Sequence, residues 1–292
     1  MPILRLLGGQ LAIGAAAIFA RLALGGAGPI AVSALRLVLA TLALVALGAR
    51  ARPLGPAREL ALGIAGLALA AHFGAWIASL EFTSVARSTL LVTTTPLWLA
   101  FATAIRTRRL PSRALGIALA VAFAGVAIVV GVPTGVAPVP GHEALGEALA
   151  LAGALAIGAY LELVRATGSR GTDALPTGDI VLRTYGWAAL ALVIGAGVLR
   201  EPPPALGDGR AWLGIAGMAF ISQLLGHTAL ARALRDFSPT TVAISTLLEP
   251  AIAAGLAALI FGETVGPWLA LGAALLLAGI ALALRAERSN DS

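Results

Sequence analysis

Apolar residues run along this chain in long, nearly unbroken blocks, and polar residues are gathered between them. Breaks rich in glycine, proline and arginine fall at Gly25–Pro29, Arg50–Arg58, Phe82–Arg87, Arg106–Arg113, Gly131–Glu143, Thr167–Thr177, Arg200–Arg210, Arg232–Ser238 and Gly262–Gly266. They leave ten apolar segments at roughly 5–25, 29–49, 59–81, 87–106, 113–131, 144–166, 178–199, 210–232, 239–261 and 265–285, each close to the ~20 residues that cross a hydrocarbon core. Open strands would leave backbone groups unpaired in lipid, so segments this apolar are expected as helices. No ten-residue stretches of alternating polarity support a β-barrel.

The pattern also repeats. Gln10-Leu11-Ala12-Ile13-Gly14-Ala15, with Arg21 following, returns as Ala154-Leu155-Ala156-Ile157-Gly158-Ala159 with Arg165 at the same spacing. Thr89 to Pro96 likewise aligns with Ala243 to Pro250. Each half holds five segments, and an odd number forces the second copy into the opposite orientation. The expected fold is therefore an all-α integral membrane protein, ten transmembrane helices arranged as two inverted five-helix repeats. Residues 1–143 make the first repeat with an outside linker, semi-extended by its prolines and glycines. Residues 144–292 make the second, with a short cytoplasmic tail.

Composition narrows the class. At 59% hydrophobic and 12% charged, with a mean hydropathy of +0.94, the 292 residues leave no room for a sizeable soluble domain. The absence of cysteine removes disulfides and thiolate metal sites. The net charge of +6 comes from arginines in the breaks, where they set topology and meet lipid headgroups rather than forming a nucleic-acid face. With the N-terminus inside, fourteen arginines fall on the inner side and only Arg87, Arg200 and Arg210 outside, while Arg21, Arg36 and Arg183 lie within helices. Both termini are expected in the cytoplasm. The first segment begins like a signal peptide but runs on to Leu24 without a convincing cleavage site, and is expected as an uncleaved span.

Polar side chains inside such segments are costly and mark a wet interior or a helix contact. In the third segment His72, Trp76 and Ser79 share one helical stripe, and in the eighth Phe220, Gln223 and His227 do the same. The two segments are equivalent in the repeat, so the paired stripes favour a substrate cavity over two isolated helix contacts. Trp98 and Tyr160 join them as weaker candidates, and Tyr185 and Trp187 are not resolved either way. Gln10, Gly14, Ala17 and Arg21 form a face of the first segment on which small residues allow close approach, with Arg21 snorkelling to headgroups. Arg36 and Arg183 lie one to two turns inside their helices, with Glu162, Glu249 and Glu81 as expected counter-charges. A structural or gating ion pair is favoured there over substrate binding. Pro96 and Pro250 are expected hinges, and Glu249 is either a proton carrier or a neutral, hydrogen-bonded strut.

Three features together resemble the drug/metabolite transporter superfamily in its ten-helix EamA-type branch. They are Pro29 with Arg36-Leu37-Val38-Leu39-Ala40, the pair Thr95-Pro96 and Glu249-Pro250, and Gly262-Glu263 followed by Gly272 and Gly279. The resemblance spans the chain, but the first half has Arg108-Arg109-Leu110 where the second has Gly262-Glu263-Thr264. It implies a secondary transporter exporting small metabolites, similar to bacterial aromatic amino-acid exporters, working by alternating access in the inner membrane. An exporter of other small solutes or drugs is the alternative. An intramembrane enzyme is the rival class, but a zinc-protease His-Glu-x-x-His is absent, and Ser222 and His227 lie on different helical faces. No metal, cofactor or nucleotide motif is present. The expected partners are a small-molecule substrate and membrane lipids, with no nucleic acid and the chain acting as a monomer.

Overall fold

The structure, a computed structural model, describes residues 2–99, 105, 112–131, 139, 141–167, 175–229, 246 and 248–290. The inner breaks near 100–111, 168–174 and 230–245, and nearly all of the linker between the repeats, lie outside the described residues. Numbering spans in chain order, span 1 is Pro2–Gly14 continued by Ala16–Ala23, span 2 is Pro29–Ala46 and span 3 is Pro56–Phe82. Span 4 opens with Val85–Val92, span 5 is Arg113–Gly131, span 6 is Glu143–Thr167 and span 7 is Thr177–Leu199. Span 8 is Gly209–Ala216 running into a π-helix, Gly217–His227. Span 9 includes Leu248–Phe261, and span 10 is Pro267–Asn290.

Four of these helices are long and apolar enough to cross a bilayer unaided: Pro29–Ala46, Pro56–Phe82, Glu143–Val164 and Thr177–Leu199. Polarity is distributed inside out. Leu67, Leu190, Val193 and Ile194 are exposed, whereas Gln10, Arg36, Arg87, Thr184 and Gln223 are buried. In water such a surface would be an aggregation liability, and in lipid it is the solvated face.

The packing is symmetric under exchange of the halves. Span 3 packs on span 6, as span 8 does on span 1; span 4 packs on span 6, as span 9 does on span 1. Span 3 meets span 7, and span 2 meets span 8. Spans 2 and 7, 4 and 9, and 5 and 10 pair with their own counterparts. Small residues set these approaches. A methyl built on Gly153 of span 6 would lie 3.3 Å from the Trp76 Cβ, and one on Gly226 of span 8 would lie 2.6 Å from Ile13. Gly272 of span 10 is equally tight, 3.1 Å from the Gly125 carbonyl oxygen of span 5. Without a hydrophobic force between helices in lipid, such close backbone contact is what holds spans together.

The proline expectations divide. In span 4 the helix ends at Val92, and Thr93 and Thr94 form a turn before helix resumes at 95. Pro96 cannot donate a backbone hydrogen bond, and its ring crowds the Val92 carbonyl. The hydroxyls of Thr93, Thr94 and Thr95 donate instead to the carbonyls of Leu90, Leu91 and Val92 at 2.8, 2.7 and 3.1 Å. The threonine run thus adds hydroxyl donors to carbonyls of the turn where the helix is interrupted. Pro250 lies in the first turn of Leu248–Phe261, where a missing donor leaves no intrahelical bond unmade.

Candidate functional site

Arg36 stands at the centre of the best-defined polar cluster. Its side chain is fully buried, so snorkelling to the surface is ruled out. Nη2 donates to the Gln223 Oε1 at 2.6 Å, Nη1 faces the Met218 sulfur at 4.0 Å, and the guanidinium lies 4.0 Å from the centroid of the Phe73 ring. A cation over an aromatic face is attracted by the ring quadrupole, more strongly when desolvated. Around this core the His227 ring meets Phe73 edge-on at 5.9 Å, and His72 lies tilted against Phe73 at 4.8 Å and stacked with Trp76 at 6.2 Å. The His72 Nδ1 is 2.9 Å from the Gly153 carbonyl of span 6. The Tyr185 hydroxyl lies beside Gln223, and that of Tyr160 beside Thr184. The main apolar core encloses the cluster, with Ala34, Leu37, Phe73, Ile77, Leu192 and Met218 among its buried members.

The structure therefore brings His72, Trp76, Gln223, His227 and Arg36 to one locus, with Tyr160 beside it. Phe220 is not there: it is 45% exposed, whereas Gln223 is 1% exposed. The cause is the π-helix. Its wider turn rotates less per residue, so positions three apart separate while positions four apart, such as Gln223 and His227, stay aligned. Ser79 is buried against span 4, donating to the Trp76 carbonyl and sharing a 2.6 Å contact with the Ser88 hydroxyl, so it braces spans 3 and 4. Trp98 donates to the Thr94 hydroxyl at 3.0 Å and meets Phe123 edge-on at 5.9 Å. Gln10 is buried in span 1, and Glu249 is half-buried at the start of Leu248–Phe261.

Three arginines depart from expectation in their partners, Arg36 first: it meets Gln223, Met218 and Phe73 in place of Glu162, Glu249 or Glu81. Arg183 takes Glu59 as its counter-charge, with Nε to Oε2 at 2.8 Å, and its Nη2 donates to the Arg52 carbonyl. Glu59 lies in the first turn of span 3, so Arg183 joins the N-terminal ends of spans 3 and 7 instead of reaching a mid-span carboxylate. Arg21 does not snorkel. It donates to the Thr83 carbonyl at 3.1 Å and pairs with Glu263 at 3.2 Å. Glu263 in turn accepts the Val85 amide at 3.0 Å, at the N-terminus of the first helix of span 4. One carboxylate thereby ties together the ends of spans 1, 3, 4 and 9 that the arginine count places outside. Beside it, Glu201 accepts the Ile30 and Ala31 amides at 2.8 and 2.9 Å, capping span 2, and buried Arg87 pairs with Glu147 of span 6. Anions at helix N-termini complement both the free amides and the helix dipole.

Sequence reasoning missed Phe73 and Met218 because stripe counting favoured polar neighbours, and left Tyr185 unassigned. Tyr185 is two residues from Arg183 on the helix facing span 2, and that facing is a tertiary fact. Among the described residues, no group of three or more histidine and carboxylate side chains could hold a metal ion.

The model of the EamA-like transporter family matches residues 1–131 and again residues 144–285. The chain belongs to that family. It is an all-α, multi-pass membrane protein built as two inverted repeats, of the kind that carries small solutes. A comparison with curated proteins finds no match. The chain is similar in fold to a solved structure described as a crystal structure of a protein, at 20% identity and a TM-score of 0.65, over 100% of this chain and 99% of the other.

Proposed function

We propose that this EamA-family protein is a secondary exporter of small metabolites, chiefly amino acids including aromatic or other amphipathic ones, from a bacterial cytoplasm across the inner membrane. It works by alternating access: the two repeats rock about a central site that opens to each side in turn, with both chain ends in the cytoplasm. The observation carrying this reading is the cluster of Arg36, Phe73, His72, Gln223 and Tyr185 at the meeting of spans 2 and 3 with their repeat counterparts 7 and 8. Polar groups are expensive to keep at that depth, and a bundle needing only stability would replace them with apolar packing. Rings and hydrogen-bonding groups together suit a solute with an apolar side chain and a polar head.

Reconstitution tests it. Proteoliposomes preloaded with unlabelled phenylalanine, tryptophan, leucine or threonine should accumulate the labelled amino acid by counterflow, with the aromatic members competing best. If no amino acid moves while another small solute does, the substrate class falls. If no solute moves and the same sample hydrolyses a lipid or peptide, the transporter reading of this chain falls with it.

A further inference from the structure

Resting on that reading, we propose that Arg36 is the receptor for a carboxylate on the transported solute, so that the site selects acids and zwitterions over amines of the same shape. The argument starts from the charge that Arg36 does not share. Its guanidinium is fully buried, its Nε has no hydrogen-bond partner among the described residues, and its strongest bond goes to a neutral amide. An arginine cannot shed its proton to relieve this, because its pKa in water lies above ~12.

Glu81, Glu162 and Glu249, the counter-charges expected from the sequence, form no ion pair with it among the described residues, and six further acids are engaged elsewhere. Glu59 holds Arg183, Asp179 lies 3.8 Å from Arg52, Glu147 holds Arg87 and Glu263 holds Arg21. Glu201 and Asp208 accept backbone amides at the starts of spans 2 and 8. Among the described residues no carboxylate is paired with Arg36. Of the remaining acids, Asp173, Asp236, Glu287 and Asp291 belong by sequence to the breaks or the tail. A buried arginine lacking an anion is a poor structural element, since its desolvation is not repaid by an ion pair. Its planar fork, however, matches a carboxylate through two parallel hydrogen bonds.

The neighbours fit the rest of such a ligand. Gln223, with Tyr185 beside it, accepts from one arm of the fork and orients it. Phe73, Trp76 and His72 present ring faces and edges next to it, a surface for an apolar or aromatic side chain. The Arg21–Glu263, Arg87–Glu147 and Arg183–Glu59 pairs, by contrast, join helix ends. Arg36 instead turns its polar edge to neutral groups at the crossing of both repeats.

The test separates head-group chemistry from transport. Purified full-length protein in detergent is titrated with phenylalanine, 3-phenylpropanoate, which lacks the amine, and phenethylamine, which lacks the carboxylate. Binding is read from tryptophan fluorescence and from the shift in melting temperature, and the same three compounds are run in counterflow. Both carboxylates should bind wild type at least tenfold more tightly than phenethylamine. Arg36→Gln should abolish that preference, and Arg36→Lys, which keeps the charge without the fork, should weaken carboxylate binding about tenfold to a hundredfold. Equal binding of phenethylamine by wild type overturns the proposal without recourse to any variant, and so does an undiminished acid preference in Arg36→Gln. Carboxylate-selective binding without transport of any amino acid would uphold this site and refute the export reading. Transport of amines with no acid preference would do the reverse.

Discussion

At the scale of single residues, two aromatic side chains of similar size make opposite predictions. Phe73 is buried under the Arg36 guanidinium, while Phe220 faces outward towards lipid. Phe73→Ala removes a desolvated cation–π contact and should raise the apparent KM for export about tenfold, measured in proteoliposomes. Phe220→Ala should leave KM and maximal rate within about twofold, because it exchanges one lipid contact for another. If Phe220→Ala is the more damaging, the π-helical register has been misread. The candidates were legible in sequence as far as depth and chemistry go: His72, Gln223, His227 and Arg36 stand out because polar groups in apolar helices are rare. Their partners were not. Arg183 bonds Glu59, 124 residues earlier in the chain, and Arg21 bonds Glu263, 242 residues later. Distance along the sequence says nothing about which carboxylate a packed helix will meet.

At the scale of helices, the segment boundaries followed directly from apolar length, and spans 2, 3, 5, 6 and 7 start and stop within three residues of the expected limits. The missed features are changes of helix type within a span: the break at Ala15, the threonine turn before Pro96 and the π segment of span 8. Each is a tertiary compromise invisible to hydropathy. Close packing gives one test at this scale. Gly279 of span 10 sits where a methyl would lie 2.6 Å from the Ala122 Cβ of span 5, so Gly279→Leu should destabilise the protein by about 1–3 kcal/mol, seen as a lowered melting temperature in detergent. The outer tie gives another. Thr83 is wholly buried beside it and the chain has no native cysteine, so Thr83→Cys is a clean reporter. Adding Glu263→Gln should speed its reaction with an impermeant maleimide about tenfold, and Glu263→Asp, which keeps the charge and the acceptors, should speed it less. An unchanged rate would mean that the tie does not close the outer face.

For the whole molecule, ten crossings require the chain ends to share a side. Pro2→Cys and Asn290→Cys, introduced separately, should both resist an impermeant maleimide in intact cells and react once the membrane is opened; one protected and one labelled end would refute the ten-span topology. The exchange symmetry of the packing reaches further. A scaffold whose halves are interchangeable offers two arrangements, one open to each side, that the backbone alone leaves nearly equal in energy. Only residues that differ between the halves can tilt the choice. The Arg21–Glu263 tie is such a difference: the positions matching it in the repeat, 165 and 109, both carry arginine in the sequence. The resting orientation of this carrier is thus an arithmetic of a few mismatched positions, and grafting a glutamate at 109 while removing the one at 263 should turn the protein to face the other way.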